Sequence, residues 1–160
     1  MNIDTKYHGT VAVKDEDIIR FPHGLPGFAD EKRFILLPLA DTPFVILQSV
    51  ETPALGFVLI EPFSYFPAYE FELDEAMVEQ LDIETERDVA VYVILTVADP
   101  FDNTTANLQA PVVINARKRI GKQVILSNTP YKTKHRLFTE KIHGQWFALH
   151  PGMKIPLFFP

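Results

Sequence analysis

The chain has 160 residues, of which 47% are hydrophobic, and a formal net charge of −6. This length and composition suffice for one compact domain with its own core. Because the chain contains no cysteine, structural disulfides, thiolate metal sites and cysteine nucleophiles are excluded. Charged residues occupy the place of a signal peptide's apolar segment, and no apolar run approaches the roughly 20 residues of a membrane helix. We therefore expect a soluble, cytoplasmic protein.

Short apolar runs follow one another from the beginning of the chain. They include "YHGTVAV", "RFILLPL", "PFVILQSV", "GFVLIE" and "DVAVYVILTV", separated by turn signals such as "HGLPG", "ADTP" and "ETPALG". Turns at intervals of about ten residues are typical of an antiparallel sandwich or barrel. The thirteen prolines agree, since proline tolerates strand ends and breaks helices. The sequence predicts an all-β fold, a small antiparallel β-barrel-like domain with one or two short helices.

The clearest helix signal lies in "ELDEAMVEQLDI". Asp74 is placed to cap the helix N-terminus, and Leu73 and Val78 are spaced for a hydrophobic staple. Two further helical turns are predicted at residues 15–18 and 29–33.

Five aromatic residues crowd the stretch just before this helix, "PFSYFPAYEF". Filling the core is one explanation, and a partly exposed loop in a protein interface is the other. Both remain open. The candidates for partner contact are Phe63, Tyr65, Phe66 and Tyr69.

The next elements are a strand and a hairpin. Residues 89–97 are apolar on both faces of an extended chain, which predicts the central strand. In "NTTANLQAPVVINARKRIGKQVIL", the part "NARKRIGKQ" is interpreted as a strand end, a turn with Gly121 and a return strand. We assign Asn115 a structural role, whereas Asn107 and Gln109 either satisfy a buried corner or face a partner.

The charges are distributed unevenly. Residues 70–88 hold nine acids against one base, and residues 117–136 hold seven bases and no acid. The acidic segment is either a solvated face or a docking surface for a basic partner. Its candidate contact residues are Glu70, Glu72, Glu75 and Glu79.

Motifs for catalysis or cofactor binding are not found. No serine lies in a G-x-S-x-G turn, the five histidines lack metal-ligand spacing, and the seven glycines form no phosphate loop. The basic segment has no aromatic platform for RNA until Tyr131. We expect no enzyme activity, no cofactor and no metal, and no direct contact with nucleic acid or membrane.

Five blocks together resemble the FliW family of flagellar assembly factors. They are "DTKYHGTV", "FPHGLPGF", "PFVILQS", "VYVILTV" and "TTANLQAPVVIN", and the resemblance covers residues 1–138. Residues 139–160, which include the single tryptophan, depart from the family pattern and form a tail of uncertain structure.

The resemblance implies a cytoplasmic, non-enzymatic β-barrel with two protein partners. One is flagellin, for which the family acts as a chaperone-like factor. The other is CsrA, a dimeric repressor of translation, which the family antagonises non-competitively, so that flagellin synthesis is coupled to flagellar assembly. A direct nucleic-acid-binding regulatory β-barrel is the alternative, and a small enzyme is a third class.

Overall fold

The computed structural model describes residues 1–138 and, beyond them, three two-residue strands. One α-helix, α1, spans Glu75–Gln80, and 3-10 turns occupy Asp15–Asp17, Glu86–Asp88 and Phe101–Asn103. Within the described residues, no helix is long and apolar enough to cross a membrane. The strands are β1 (Asn2–Asp4), β2 (Thr10–Ala12), β3 (Ile19–Arg20), β4 (Arg33–Pro38), β5 (Val45–Ser49), β6 (Gly56–Ile60), β7 (Phe71–Glu72), β8 (Val89–Thr96), β9 (Thr105–Ala106), β10 (Val112–Asn115), β11 (Ile120–Gln123), β12 (His135–Arg136), β13 (Lys141–Ile142), β14 (Gln145–Trp146) and β15 (Leu157–Phe158).

Seven of these strands close into a barrel. The order is β10-β11-β3-β4-β5-β6-β8, and β10 pairs with both β11 and β8, which completes the ring. All pairings in the ring are antiparallel except that of β11 with β3. The prediction of an all-β, barrel-like domain with one small helix is confirmed.

Strand β8 lies at the centre, as predicted. It pairs with β10, β6 and β9 along its length. Val89, Val91 and Val93 belong to the larger core cluster, whereas Tyr92 and Ile94 pack against a second cluster on the other face. The strand is apolar on both faces because both faces are covered.

The structure confirms the predicted helix and its N-terminal cap, Asp74. Asp74 Oδ1 accepts a hydrogen bond from the backbone N–H of Met77 at 2.9 Å, and α1 begins at the next residue. Leu73 is buried and Val78 packs against the same cluster. The turn predicted at residues 15–18 is present as a 3-10 turn.

Two local predictions are wrong. Residues 29–33 form no helical turn, because the chain bends after Phe28 and Arg33 already belongs to β4, where it pairs with Arg20. The hairpin turn does not contain Gly121, which lies within β11; residues 116–119 make the turn and Arg119 takes the positive φ of 56°. A Cβ on Gly121 would lie 2.5 Å from Phe21 Cζ, so close packing explains this glycine.

Beyond residue 138 the structure describes only backbone pairings. Strands β13 and β14 pair with each other, and β15 pairs in parallel with β7, Leu157 opposite Phe71. Apart from these three pairs, residues 139–160, for which the sequence predicted a tail of uncertain structure, lie outside the described residues.

Candidate partner-binding site

A long groove runs beside α1. At one end it is a depression of about 570 Å³ between residues 71–77 and residues 124–129. It continues into a second depression of about 420 Å³ at residues 23–29, since Met77 and Ile125 line both. A third, smaller one adjoins it through His23 and Lys122. We call the whole feature the α1 groove, with a β7 end and a loop end.

One wall of the β7 end, at residues 124–126, is extended backbone. Val124 and Leu126 donate N–H bonds to the carbonyls of Pro111 and Gln109, both at 2.8 Å. Because successive residues of an extended chain face opposite sides, the N–H and C=O of Ile125 point away from that contact. The side chain of Ile125 is 65% exposed, which is unusual for isoleucine and marks this wall as an apolar surface.

Glycine shapes the loop end. Gly24 has φ +63°, and a Cβ there would lie 2.5 Å from the carbonyl oxygen of Phe28. The backbone of Phe28 and that of Leu25 exchange hydrogen bonds across this tight turn. Phe28 remains 39% exposed, so the "HGLPGF" block builds a rigid loop with an aromatic side chain at the surface.

The acids before and within α1 face solvent. Glu72, Asp74 and Glu75 line the β7 end of the groove, and Glu70 and Glu79 are exposed nearby. Asp74 is occupied with its cap, but in the part of the chain that the structure describes the other four carboxylates form no ion pair. We call residues 70–79 the free acidic stretch. It contains the four acidic residues predicted from the sequence.

Three of the four later acids, Asp82, Glu84 and Asp88, are paired with bases. Arg117 binds Glu84 and lies 3.2 Å from Asp88 Oδ2, while Lys118 binds Asp82 and lies 3.3 Å from Glu84 Oε1. Hydrogen bonds from Arg117 and Lys118 lower the pKa of Glu84. We call residues 82–88 the paired acidic stretch. The two charged segments of the sequence therefore meet in space and partly neutralise each other.

Asn115 holds this junction together. Its side chain is fully buried and donates to the carbonyls of Leu81 and Asp82 at 2.9 and 3.0 Å. Its Oδ1 accepts the backbone N–H groups of Arg117 and Lys118 at 3.2 and 3.1 Å. This full use of a buried amide agrees with the structural role assigned to Asn115.

The aromatic candidates divide into two pairs. Phe63 and Tyr69 are each 1% exposed, and Tyr69 Oη donates to the Leu108 carbonyl at 2.8 Å, so neither offers surface to a partner. Burial raises the pKa of the Tyr69 phenol. Tyr65 and Phe66 are half-buried at the edge of the core, and Phe66 lies edge-on to His135. Only these two retain surface for binding.

The polar residues of "TTANLQ" are mostly engaged within the fold. Thr104 is fully buried and its Oγ1 accepts the Ala98 N–H at 3.1 Å. Asn107 Oδ1 accepts the Ala110 N–H at 3.1 Å and so closes a local turn. Gln109 is half-buried and uses its backbone, rather than its side chain, in hydrogen bonds. Asn107 therefore has a structural task, and the partner role of either residue stays a prediction.

The arrangement is suited to binding. In the described residues, no three His, Cys, Asp or Glu side chains are grouped as metal ligands. What the structure brings together is a groove lined by both apolar and polar residues and an acidic rim, a combination that fits a partner with apolar and basic residues. Sequence reasoning missed Ile125, Met77 and the loop at Gly24. The signal for Ile125 was an outward-facing apolar residue between Val124 and Leu126.

Comparison with known proteins gives one consistent result. The family model described as "FliW protein" matches residues 2–137. The flagellar assembly factor FliW of Geobacillus kaustophilus is 73% identical over 142 residues, which cover 89% of this chain and 99% of that protein. The FliW of Bacillus subtilis is 51% identical over 136 residues, 84% of this chain and 95% of that protein. A crystal structure of a flagellar assembly factor FliW superposes with a TM-score of 0.86 at 69% identity, covering 89% of this chain and all of the other.

Proposed function

The chain belongs to the FliW family of flagellar assembly factors, and from that premise we propose that it is a cytoplasmic, non-enzymatic regulator with two protein partners. It binds the translational repressor CsrA and relieves repression, and it binds flagellin, which competes for it. The observation that carries the proposal is the α1 groove with the free acidic stretch on its rim. A groove lined by apolar and polar residues, and edged by carboxylates that form no ion pair within residues 1–138, supports binding to a protein with basic and apolar residues.

The exposed carboxylates of the free acidic stretch provide a mechanism for the antagonism of CsrA. A surface that binds RNA is basic, so exposed carboxylates on a partner attract it from a distance. Once docked beside the RNA path, the same carboxylates repel phosphates without occupying the RNA contacts. Glu75 and Glu79, four residues apart on α1, supply this charge together with Glu70 and Glu72. The inhibition is therefore non-competitive.

A gel-shift titration tests the CsrA arm. The chain should abolish the CsrA–RNA complex and leave free RNA unshifted when CsrA is absent. If saturating RNA restores the complex with simple competitive kinetics, the separate-site mechanism is wrong. A pull-down from cell extract at moderate salt, read by mass, should recover flagellin and CsrA, and a different dominant partner would contradict the whole assignment.

Flagellin binding draws on apolar surface. An amphipathic helix laid into a groove is a common mode of recognition, and its anchors are large, partly exposed apolar residues. Phe66 is half-buried, lies edge-on to His135 and keeps part of its ring at the surface, outside the residues that line the α1 groove. Phe66→Ala should weaken flagellin binding by roughly 1–4 kcal/mol if it is a central anchor. An unchanged affinity with an intact fold would remove this residue from the interface.

Direct binding to nucleic acid receives little support from the basic segment. Arg117 and Lys118 are engaged with acids, and Arg119 donates to the Asp17 carbonyl at 2.9 Å. Arg136 likewise donates to Asn103 Oδ1 at 3.0 Å. Two of the seven bases are thus neutralised by acids within the fold, which reduces the charge available for phosphate at the β10–β11 turn. Salt-dependent binding of RNA by the isolated protein would reverse this judgement.

A further inference from the structure

One wall of the α1 groove is the unpaired edge of an extended segment. Strand β11 pairs with β10 over its full length, but with β3 at a single residue pair. The chain stays extended after β11, and the N–H groups of Val124 and Leu126 bond towards the segment that leads into β10. Backbone groups of successive residues in a strand point to opposite edges, so those of Gln123 and Ile125 are directed away from β10. We call residues 123–127 the free edge.

The free edge lies along both depressions of the groove. Gln123 lines the loop end, Ser127 lines the β7 end, and Ile125 lines both. Among the described residues Ile125 forms no backbone hydrogen bond, and its side chain is exposed. The opposite wall differs, because β7 is already paired with β15. An unpaired edge presents N–H and C=O groups to which an extended segment of another chain can bond.

Charges of opposite sign lie at the two ends of the groove. Glu72 and Glu75 line the β7 end, and neither forms an ion pair in the part of the chain that the structure describes. Lys122 lines the loop end and is likewise without an ion pair among those residues. Met77 and Ile125 lie between the two ends, since they line both depressions. A complementary segment therefore carries a base at one end, an apolar middle and an acid at the other end.

We propose that the free edge is an interaction surface for an extended segment of a protein partner, which adds to it as an antiparallel strand. The segment begins with a basic residue opposite Glu72 and Glu75, continues with apolar side chains against Ile125, and ends with an acidic residue near Lys122. Antiparallel pairing is the more stable arrangement per residue. Main-chain hydrogen bonds supply affinity, and the order of the charges selects the segment.

The inference deepens the proposed function and rests on it in one respect, namely that the α1 groove receives a protein partner. It adds the chemistry that the groove recognises. At roughly 3.3 Å per residue the free edge is about 16 Å long, so the recognised segment has about five or six residues. Short synthetic peptides are therefore suitable probes.

Two peptides of identical composition test the order of the charges. In each, valines and threonines alternate between a lysine and a glutamate, both termini are blocked, and only the positions of the two charged residues are exchanged. The lysine-first peptide should bind the full-length chain about tenfold more tightly than the glutamate-first peptide. Glu72→Lys/Glu75→Lys/Lys122→Glu exchanges the signs at the groove ends and should reverse the preference. Equal binding of the two peptides to the parent, or a preference that the variant does not reverse, would overturn the proposal.

Methylation of the peptide amides tests the strand mode. A strand bonds to one neighbour through alternate residues, so N-methyl groups on one alternate set of the lysine-first peptide should weaken binding about tenfold. The same groups on the other set should leave the affinity nearly unchanged. The parent protein is used for both, so the folding of a variant does not enter the comparison. Equal effects of the two sets would show that the peptide does not pair as a strand.

A pair of variants tests the location. Ile125→Pro removes the N–H at the centre of the free edge, and no backbone hydrogen bond among the described residues is lost with it. This variant should bind the lysine-first peptide about tenfold more weakly, whereas Ile125→Val keeps the N–H and a branched side chain and should bind like the parent. Equal affinities of the two variants would place the peptide elsewhere.

A second copy of this chain is the competing occupant, and sedimentation of the parent alone distinguishes it. The parent should sediment as a monomer. A dimer that Ile125→Pro dissociates would assign the free edge to self-association and overturn the partner segment.

Failure of this inference and failure of the proposed function are distinguishable, because neither CsrA nor flagellin enters the peptide measurements. If CsrA binds the chain and neither peptide does, the strand mode is wrong and the proposed function stands. If the lysine-first peptide binds as expected and CsrA does not, the free edge keeps its assignment and the proposed function fails.

Discussion

The free and the paired acidic stretches have similar compositions but different surroundings. In residues 82–88, Asp82, Glu84 and Asp88 all contact Arg117 or Lys118 across the barrel's β10–β11 turn. In residues 70–79, four carboxylates face solvent beside an open groove. Charge count alone therefore misleads, since one stretch uses its charge within the fold and the other presents it to the surroundings.

The difference assigns separate roles to the two stretches. Changes in the paired acidic stretch, or in Asn115 beneath it, should alter the stability of the fold. Changes in the free acidic stretch should instead alter association with a basic partner. Asn115 is the support, because it links residues 81–82 to the turn that carries Arg117 and Lys118.

The largest effect is expected from Asn115→Ala. It removes four hydrogen bonds and leaves buried backbone groups unsatisfied, which should lower the free energy of unfolding by roughly 2–4 kcal/mol. Asn107→Ala is the matched control, since Asn107 is only half-buried and its side chain accepts a single bond. Urea denaturation of both variants decides the matter. Equal losses of stability would contradict the supporting role of Asn115.

A smaller effect is expected from Glu84→Lys. The change removes two ion pairs and places a cation beside Arg117 and Lys118, so the melting temperature should fall, and fall more at low salt than at high salt. Glu79→Lys, on the free acidic stretch, should leave the melting temperature unchanged.

The contribution of Glu84 also has a definite pH dependence. Because its carboxylate is paired in the folded protein, its pKa is lowered there, and the stabilisation is present above the carboxyl's ordinary pKa of about 4.3. It should be lost as the pH falls below that value. A melting temperature of the Glu84→Lys variant that matches the parent at neutral pH and low salt would show that the pairing contributes nothing to stability.

The smallest expected effect is a pH-dependent change in local stability at His135. This residue belongs to neither acidic stretch, so it tests whether the regions respond separately. Its Nε2 accepts the Lys132 N–H at 2.7 Å, and burial, together with the charge of Lys132, lowers its pKa. The neutral form is favoured by folding, so this contribution is present above the ordinary pKa of about 6.5 and lost as the pH falls below it.

His135→Gln retains an acceptor at every pH and should remove that pH dependence. Hydrogen exchange of the backbone amides near Lys132, measured between pH 5 and pH 8, reports this pH dependence. The paired stretch should show no change in this range. Loss of protection at Arg117 over the same pH interval would contradict the separation of the regions.

Features set by neighbouring residues were predictable from sequence. The Asp74 cap and the central strand β8 both depend on residue types at close spacing, and both predictions are confirmed. The turn at residues 116–119 was misplaced because Gly121 suggested a turn residue, whereas its actual constraint is Phe21, which comes from the start of the chain. Local sequence gives no sign of such a contact.

The site was predictable only in part. The sequence identified the acids that line the groove, but it gave no means of separating them from those paired with Arg117 and Lys118, about 30 residues away. It also grouped Phe63 and Tyr69 with Tyr65 and Phe66, although the first two fill the core. Neighbouring aromatic residues share a composition signal, and only the three-dimensional packing separates buried from exposed ones.

The most direct test of the account is the rate of association with CsrA at several salt concentrations. Glu75→Lys/Glu79→Lys reverses two charges of the free stretch, and Asp15→Lys/Glu16→Lys makes the same change in net charge at exposed positions outside the groove. The account predicts that the first variant associates more slowly than the parent, with a flatter salt dependence and little change in dissociation, while the second retains most of the parent's rate. If Glu75→Lys/Glu79→Lys binds CsrA as fast as the parent at low salt and still blocks RNA fully, the free acidic stretch is only a solvated surface.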